Sequence, residues 1–164
     1  MGAALGLPLF VLFLPAAAFL LLALVPPLRR RGRPAGVMGS AVMAVALGAA
    51  LVVWIAGPRV DATWSWIPAD AGPLATVGIL VDPLSAAMLV LVTLVSCLVQ
   101  VYSRAYLGEE SPPSLGRYYA YQSLFAFSML GLVLSPSFVQ MFVFWELVGL
   151  CSYLLIGYWY GRPS

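Results

Sequence analysis

The sequence predicts an all-α membrane protein of five transmembrane helices, with a short external hairpin-like segment between the second and third. Three observations predict it. Of the 164 residues, 63% are hydrophobic and 9% are charged. A soluble domain carries about 25% charged residues, so this chain lacks the polar surface that folding in water requires. Five apolar runs are each long enough to cross a hydrocarbon core of about 30 Å as a helix. Arg29, Arg30, Arg31, Arg33, Arg104, Arg117 and Arg162 fall on one side of that arrangement and Arg59 on the other. This is the positive-inside asymmetry, and it predicts an external N-terminus and a cytoplasmic C-terminus.

The first run, Leu5 to Leu28, lacks the basic leader of a secretory signal and continues past Ala16–Ala18. It reads as a retained helix, bent near Pro15. The Arg29–Arg33 cluster that follows could attract anionic lipid or nucleic acid. Its place between two apolar runs favours a topology signal. A second helix spans Val37 to Ala56, rich in alanine and glycine for close packing. Residues 1–57 thus form a two-helix N-terminal unit. Residues 58–82 are an external loop in which Trp64-Ser65-Trp66 and Thr76–Val81 read as short strands. Asp70-Ala71-Gly72-Pro73 supplies the turn residues of a possible β-hairpin.

Residues 83–164 hold three more helices. The first, Leu84 to Leu107, is announced by Asp82-Pro83, an acidic N-cap with proline at the first helical position. Asp82 is either that cap or a site of proton uptake. A cytoplasmic loop over Gly108–Gly116 leads to a fourth helix, Tyr118 to Leu134, whose Tyr118, Tyr119 and Tyr121 are expected in an aromatic belt. Pro136 and a Ser137/Gln140 capping box then open the fifth, which runs to Tyr160.

That last helix carries Glu146, about 12 Å along its axis. An acid at helix centre costs roughly 2.5–3.5 kcal/mol on insertion scales, so something must offset it. Gly149, Tyr153 and Gly157 follow at helical spacing, so this face is expected to point into a bundle. Glu146 is then a proton-handling carboxylate or a structural hydrogen-bonding group, with Asp82, Tyr153 and Arg117 as further candidates for the proton path or for structure.

Other chemistry is excluded by what is missing. The chain has no histidine and no lysine, and its two cysteines, Cys97 and Cys151, sit in apolar runs as packing residues. No phosphate-binding glycine loop, Cys-x-x-Cys or metal-ligand spacing occurs. The net charge of +2 gives no reason to expect nucleic acid.

VDPLSAAMLVLVTLVSCLVQVYSRAYL (Val81–Leu107) and RYYAYQSLFAFSMLGLVLSPSFVQMFVFWELVGLCSYLLIGYWY (Arg117–Tyr160) resemble the N-terminal part of chain L, or subunit 5, of respiratory complex I. This is the antiporter-like subunit family. The most specific stretch is Trp145–Gly157. The resemblance implies a membrane-arm subunit of proton-translocating NADH–quinone oxidoreductase, in which the carboxylate matching Glu146 pairs with a lysine in a proton channel. It implies other membrane-arm subunits and the lipid bilayer as partners, in a bacterial inner membrane or an equivalent energy-transducing membrane. NADH, FMN, iron–sulfur clusters and quinone would be bound elsewhere in the complex, and none in this chain. Relatives continue beyond the position of Ser164 with helices that supply the lysine, so the chain is expected to be an N-terminal fragment that needs them. The large subunit of a multi-subunit cation/proton antiporter shares the same helix and glutamate. A non-pumping structural remnant is the reading from a different class.

Overall fold

A computed structural model describes residues 2–67 and 75–159. The order is α1 (Gly2–Leu24), one-turn α2 (Pro26–Arg29), α3 (Gly32–Ala56), β1 (Val60–Ile67), β2 (Ala75–Val81), α4 (Pro83–Tyr106), α5 (Pro112–Val133) and α6 (Phe138–Ile156), followed by a 3-10 turn at Gly157–Trp159. The all-α membrane class holds. Among the described residues, four helices are long and apolar enough to cross a membrane, and α5 is not one of them. It carries Arg117, Gln122, Ser123 and Ser128 in a run that the apolar pattern had counted with the others. These polar positions are tolerated because α5 is the central helix, packed against α1, α3, α4 and α6.

Helix boundaries moved wherever proline was read as loop. α1 passes unbroken through Pro8 and Pro15 but stops at Leu24. Val25, held extended ahead of Pro26, cannot continue it. α3 begins at Gly32 rather than Val37, and α5 at Pro112 rather than Tyr118. Pro34 and Pro112 sit in first turns, where the missing N–H has no helical partner to lose.

Small residues set the spacing of the bundle. Gly32, Gly36, Gly39, Met43, Ala46, Ala50 and Val53 form the buried stripe of α3. A Cβ at Gly36 would lie 2.9 Å from the Tyr119 ring, and one at Gly39 would collide with Oε1 of Gln100. α4 is patterned inside out. Its Thr93, Ser96, Gln100 and Ser103 are buried, while Leu91, Leu94, Val95, Leu98 and Val101 are exposed. In a hydrocarbon solvent the exposed leucines and valines cost nothing, since leucine faces lipid as readily as protein.

At one end β1 and β2 pair antiparallel, with Val60 opposite Val81 and Thr63 opposite Gly78. The strands expected at Trp64–Trp66 and Thr76–Val81 lie within this pair, and the turn at 70–73 falls outside the described residues. The sheet is stapled to the helices. Gln140 Oε1 accepts from the Gly78 N–H at 2.7 Å, and Gln140 Nε2 donates to the Gly78 carbonyl at 2.9 Å. Ser137 Oγ donates to the Thr76 carbonyl at 2.6 Å, and the Leu80 N–H donates to the Leu134 carbonyl at 3.0 Å. The capping box expected at α6 is therefore only half made. Ser137 Oγ accepts from the Gln140 N–H at 3.3 Å, but the Gln140 side chain serves the sheet instead.

Replacing Gln140 by leucine strands both backbone groups of Gly78. A buried unsatisfied group costs about 1–3 kcal/mol. Hydrogen exchange at the Gly78 amide should accelerate at least about thirtyfold, the ratio for roughly 2 kcal/mol. An unchanged rate would show that the sheet holds without this staple.

At the opposite end lie the Arg29–Arg33 segment, Arg104 and Arg117. Gly32 of α3 meets Leu115 and Pro112 there, and Trp159 donates to Glu110 at 3.0 Å. Tyr102, Tyr106, Tyr158 and Trp159 form a chain of ring contacts across this end. Tyr119 was expected in that belt and is buried instead, its ring edge-on to Tyr118 at 5.3 Å.

Candidate proton-transfer site on the last long helix

α6 attaches to the bundle by one side. Phe144 enters the space above Gly131, where any Cβ would overlap its ring, and packs edge-on against Phe127 at 5.6 Å. Cys151 is buried against Ser128, with Sγ 3.8 Å from Oγ. Gln140 and Cys151 are the fully buried residues of this helix.

Glu146 lies on the other side. Phe138, Phe142, Trp145, Glu146, Gly149, Tyr153 and Ile156 are all exposed. The helical spacing of Glu146, Gly149 and Tyr153 places them along one face as expected, but that face points away from the other helices. The expectation of an inward face is thus corrected. Both faces of α6 are apolar, and tertiary packing chose the side bearing Phe144 and Cys151 because Gly131 offers it room.

The four sequence candidates fall in three places. Glu146 sits in an open hollow with Phe138, Met141, Phe142 and Trp145. No hydrogen bond or ion pair from a described residue holds its carboxylate. Tyr153 lies two turns along the same face, about 10 Å away. It shares a cleft with Arg117, Tyr121 and Tyr158, and the Arg117 guanidinium stands 5.7 Å from the centre of the Tyr158 ring.

Asp82 is at the sheet end. Its Oδ1 accepts from the Ser85 N–H at 2.7 Å, and Ser85 Oγ accepts from the Asp82 N–H at 2.7 Å. The Ser85 backbone N–H, and then the Ser85 hydroxyl, hold the Asp82 carboxyl below the usual carboxylate range. It therefore caps α4 as an anion.

Two buried groups escaped the sequence reading. Gln100 is 0% exposed and Tyr119 1% exposed. The carboxamide and the phenol oxygen have no hydrogen-bond partner among the described residues. The signal was present: Ser96, Gln100 and Ser103 recur every three or four residues in an otherwise apolar helix.

Comparison with known proteins bears on the same segments. Residues 66–119 match the family described as NADH-Ubiquinone oxidoreductase (complex I), chain 5 N-terminus. Residues 135–164 match NADH:quinone oxidoreductase/Mrp antiporter, TM. Both segments are thus similar to antiporter-like subunits. Asp82 and Arg117 lie in the first matched segment, Glu146 and Tyr153 in the second.

Among curated proteins, the chain is 56% identical over 100 residues to chloroplastic NAD(P)H-quinone oxidoreductase subunit 5 of Zygnema circumcarinatum, covering 61% of this chain and 14% of the relative. It is 58% identical over 87 residues to NAD(P)H-quinone oxidoreductase chain 5 of Synechocystis sp., covering 53% and 12%. Among solved structures, a chain of the Mrp complex from Dietzia sp. superposes with a TM-score of 0.69 at 36% identity, over 89% of this chain and 16% of that one. The chain thus spans about one seventh of the length of these antiporter-like relatives.

Proposed function

We propose that this chain is the N-terminal part of a membrane-arm subunit of proton-translocating NADH–quinone oxidoreductase, with Glu146 as its proton-channel carboxylate. The observation that carries this reading is the position of Glu146. It is an ionisable group in mid-helix, on the face of α6 that the rest of the described chain leaves uncovered. A carboxylate there is stable only against water or a cation, so it requires helices that bring one. The chain has no lysine, and the cation comes from outside it. Tyr153 and Arg117, meeting in one cleft at the basic end, continue the polar path from Glu146 towards that surface. Asp82 serves as the cap of α4.

In this reading α5 also spans the membrane, the fourth of five helices, shielded from lipid by its neighbours, and the basic end is cytoplasmic. The β1–β2 sheet and the N-terminus are outside. NADH, FMN, iron–sulfur clusters and quinone bind to other subunits, and this chain contributes transport to the oxidoreductase. The membrane is an energy-transducing one, and the neighbours are the other membrane-arm subunits together with the remaining helices of the same subunit.

The structural likeness to an Mrp complex favours a second reading, the large subunit of a multi-subunit cation/proton antiporter. Inverted membrane vesicles carrying the complete subunit within its assembled complex separate the two. Proton uptake driven by NADH oxidation and indifferent to a sodium gradient is expected. Proton exchange driven by sodium without NADH would replace the first reading with the second.

A further inference from the structure

At the basic end, where α3 begins and α4 finishes, a cleft of about 410 Å³ opens between these helices and α5. Arg33 and Arg104 line it, with Gly32, Gly36, Val37, Val101 and Tyr119. None of its lining residues is acidic. Neither guanidinium is paired with a carboxylate among the described residues.

Its floor is built by glycine. A Cβ at Gly36 would stand 2.9 Å from Cζ and 3.1 Å from the phenol oxygen of Tyr119. Only the absence of that side chain lets the ring lie there. Tyr119 is 1% exposed, and its phenol oxygen has no hydrogen-bond partner among the described residues. A buried hydroxyl left so is costly unless a ligand or water completes it.

We infer that this cleft binds the phosphate group of an anionic phospholipid. Two guanidiniums and a phenol O–H are all donors, and phosphate oxygens accept from such groups. Val37 and Val101 are exposed beside the arginines. They continue the apolar outer surfaces of α3 and α4 along which acyl chains would lie. A basic pocket between transmembrane helices at the cytoplasmic surface is where lipid headgroups are held. The bound phosphate neutralises the two arginines and joins the ends of α3 and α4 to α5 through Tyr119.

The test is a titration of the full-length subunit in detergent with a fluorescent phosphatidic acid, against a phosphatidylcholine analogue, at physiological ionic strength. Phosphatidic acid should bind in preference, and excess inorganic phosphate should not displace it. The paired substitution Arg33→Gln/Arg104→Gln should weaken it about thirtyfold, each arginine contributing roughly fivefold. Tyr119→Phe, which keeps the ring and loses the O–H, should weaken it about tenfold.

The pair Arg30→Gln/Arg31→Gln removes the same charge from the same end but outside the cleft, and should change binding less than about threefold. An equal loss in that control would make the attraction a diffuse basic surface and overturn the assignment. Unchanged binding in Tyr119→Phe would also overturn it. Displacement by inorganic phosphate would overturn the lipid in favour of a soluble phosphate ligand.

Discussion

Replacing Glu146 by glutamine in the complete subunit is expected to cut coupled proton transport about tenfold or more while leaving the protein's abundance unchanged. The two side chains are nearly isosteric, and the amide is the cheaper group to place at helix centre. Folding therefore gains slightly, and only the ability to carry a proton or attract a cation is lost. A positioned acid–base group contributes about 10²- to 10⁴-fold to a proton-transfer step, so tenfold is a lower bound when that step limits turnover. Inverted vesicles carrying the assembled complex report it directly, as the rate of proton uptake driven by NADH oxidation. Undiminished uptake would return Glu146 to a structural role and favour the non-pumping scaffold. Glu146→Asp, which keeps the charge on a shorter arm, should retain more transport than Glu146→Gln.

The largest expected effect on stability is at Gly131. Any side chain there overlaps the Phe144 ring, and Phe144 is the residue by which α6 docks on α5. Gly131→Val must displace that ring and break its edge-on contact with Phe127. Overpacking costs about 1–3 kcal/mol, and the lost aromatic pair adds about 0.5–1.5 kcal/mol. The thermal midpoint of the detergent-solubilised protein should fall accordingly, with α6 becoming accessible to protease first. A double-mutant cycle isolates the cause: combined with Phe144→Ala, the substitution Gly131→Ala should cost much less than it does alone. Strict additivity would mean that the ring and the glycine do not share this space.

The helices were legible in the sequence because each needs only a local property, an apolar run of sufficient length between breaks. Their starts were less legible. Proline reads the same whether it interrupts a loop or opens a helix, and Pro34 and Pro112 did the latter. The candidate site was half legible. Spacing alone placed Glu146 and Tyr153 on one face. Which way that face points depends on whether Phe144 finds Gly131, a contact between residues thirteen apart on different helices, and no local pattern carries it. Gln140 shows the same limit, since its three-residue offset from Ser137 suggested a cap while the sheet offered it two better partners. Gln100 was passed over because an isolated polar residue in an apolar run looks incidental until its neighbours prove to be polar too, and Tyr119 was expected in the belt because it stands between other tyrosines.

The staple between Gly78 and Gln140 also orders events during synthesis. The two residues are 62 positions apart. At roughly 5–20 residues per second, about 3–12 s pass between the ribosome's addition of one and of the other. Through that interval β1 and β2 are already made, while the side chain that anchors them does not yet exist. The bond from Leu80 to Leu134 can form once α5 is made, but the Gln140 and Ser137 staples wait for the first turn of α6. The nascent chain must therefore pass α4 and α5 into the membrane while this staple is unmade, and the start of α6 completes it.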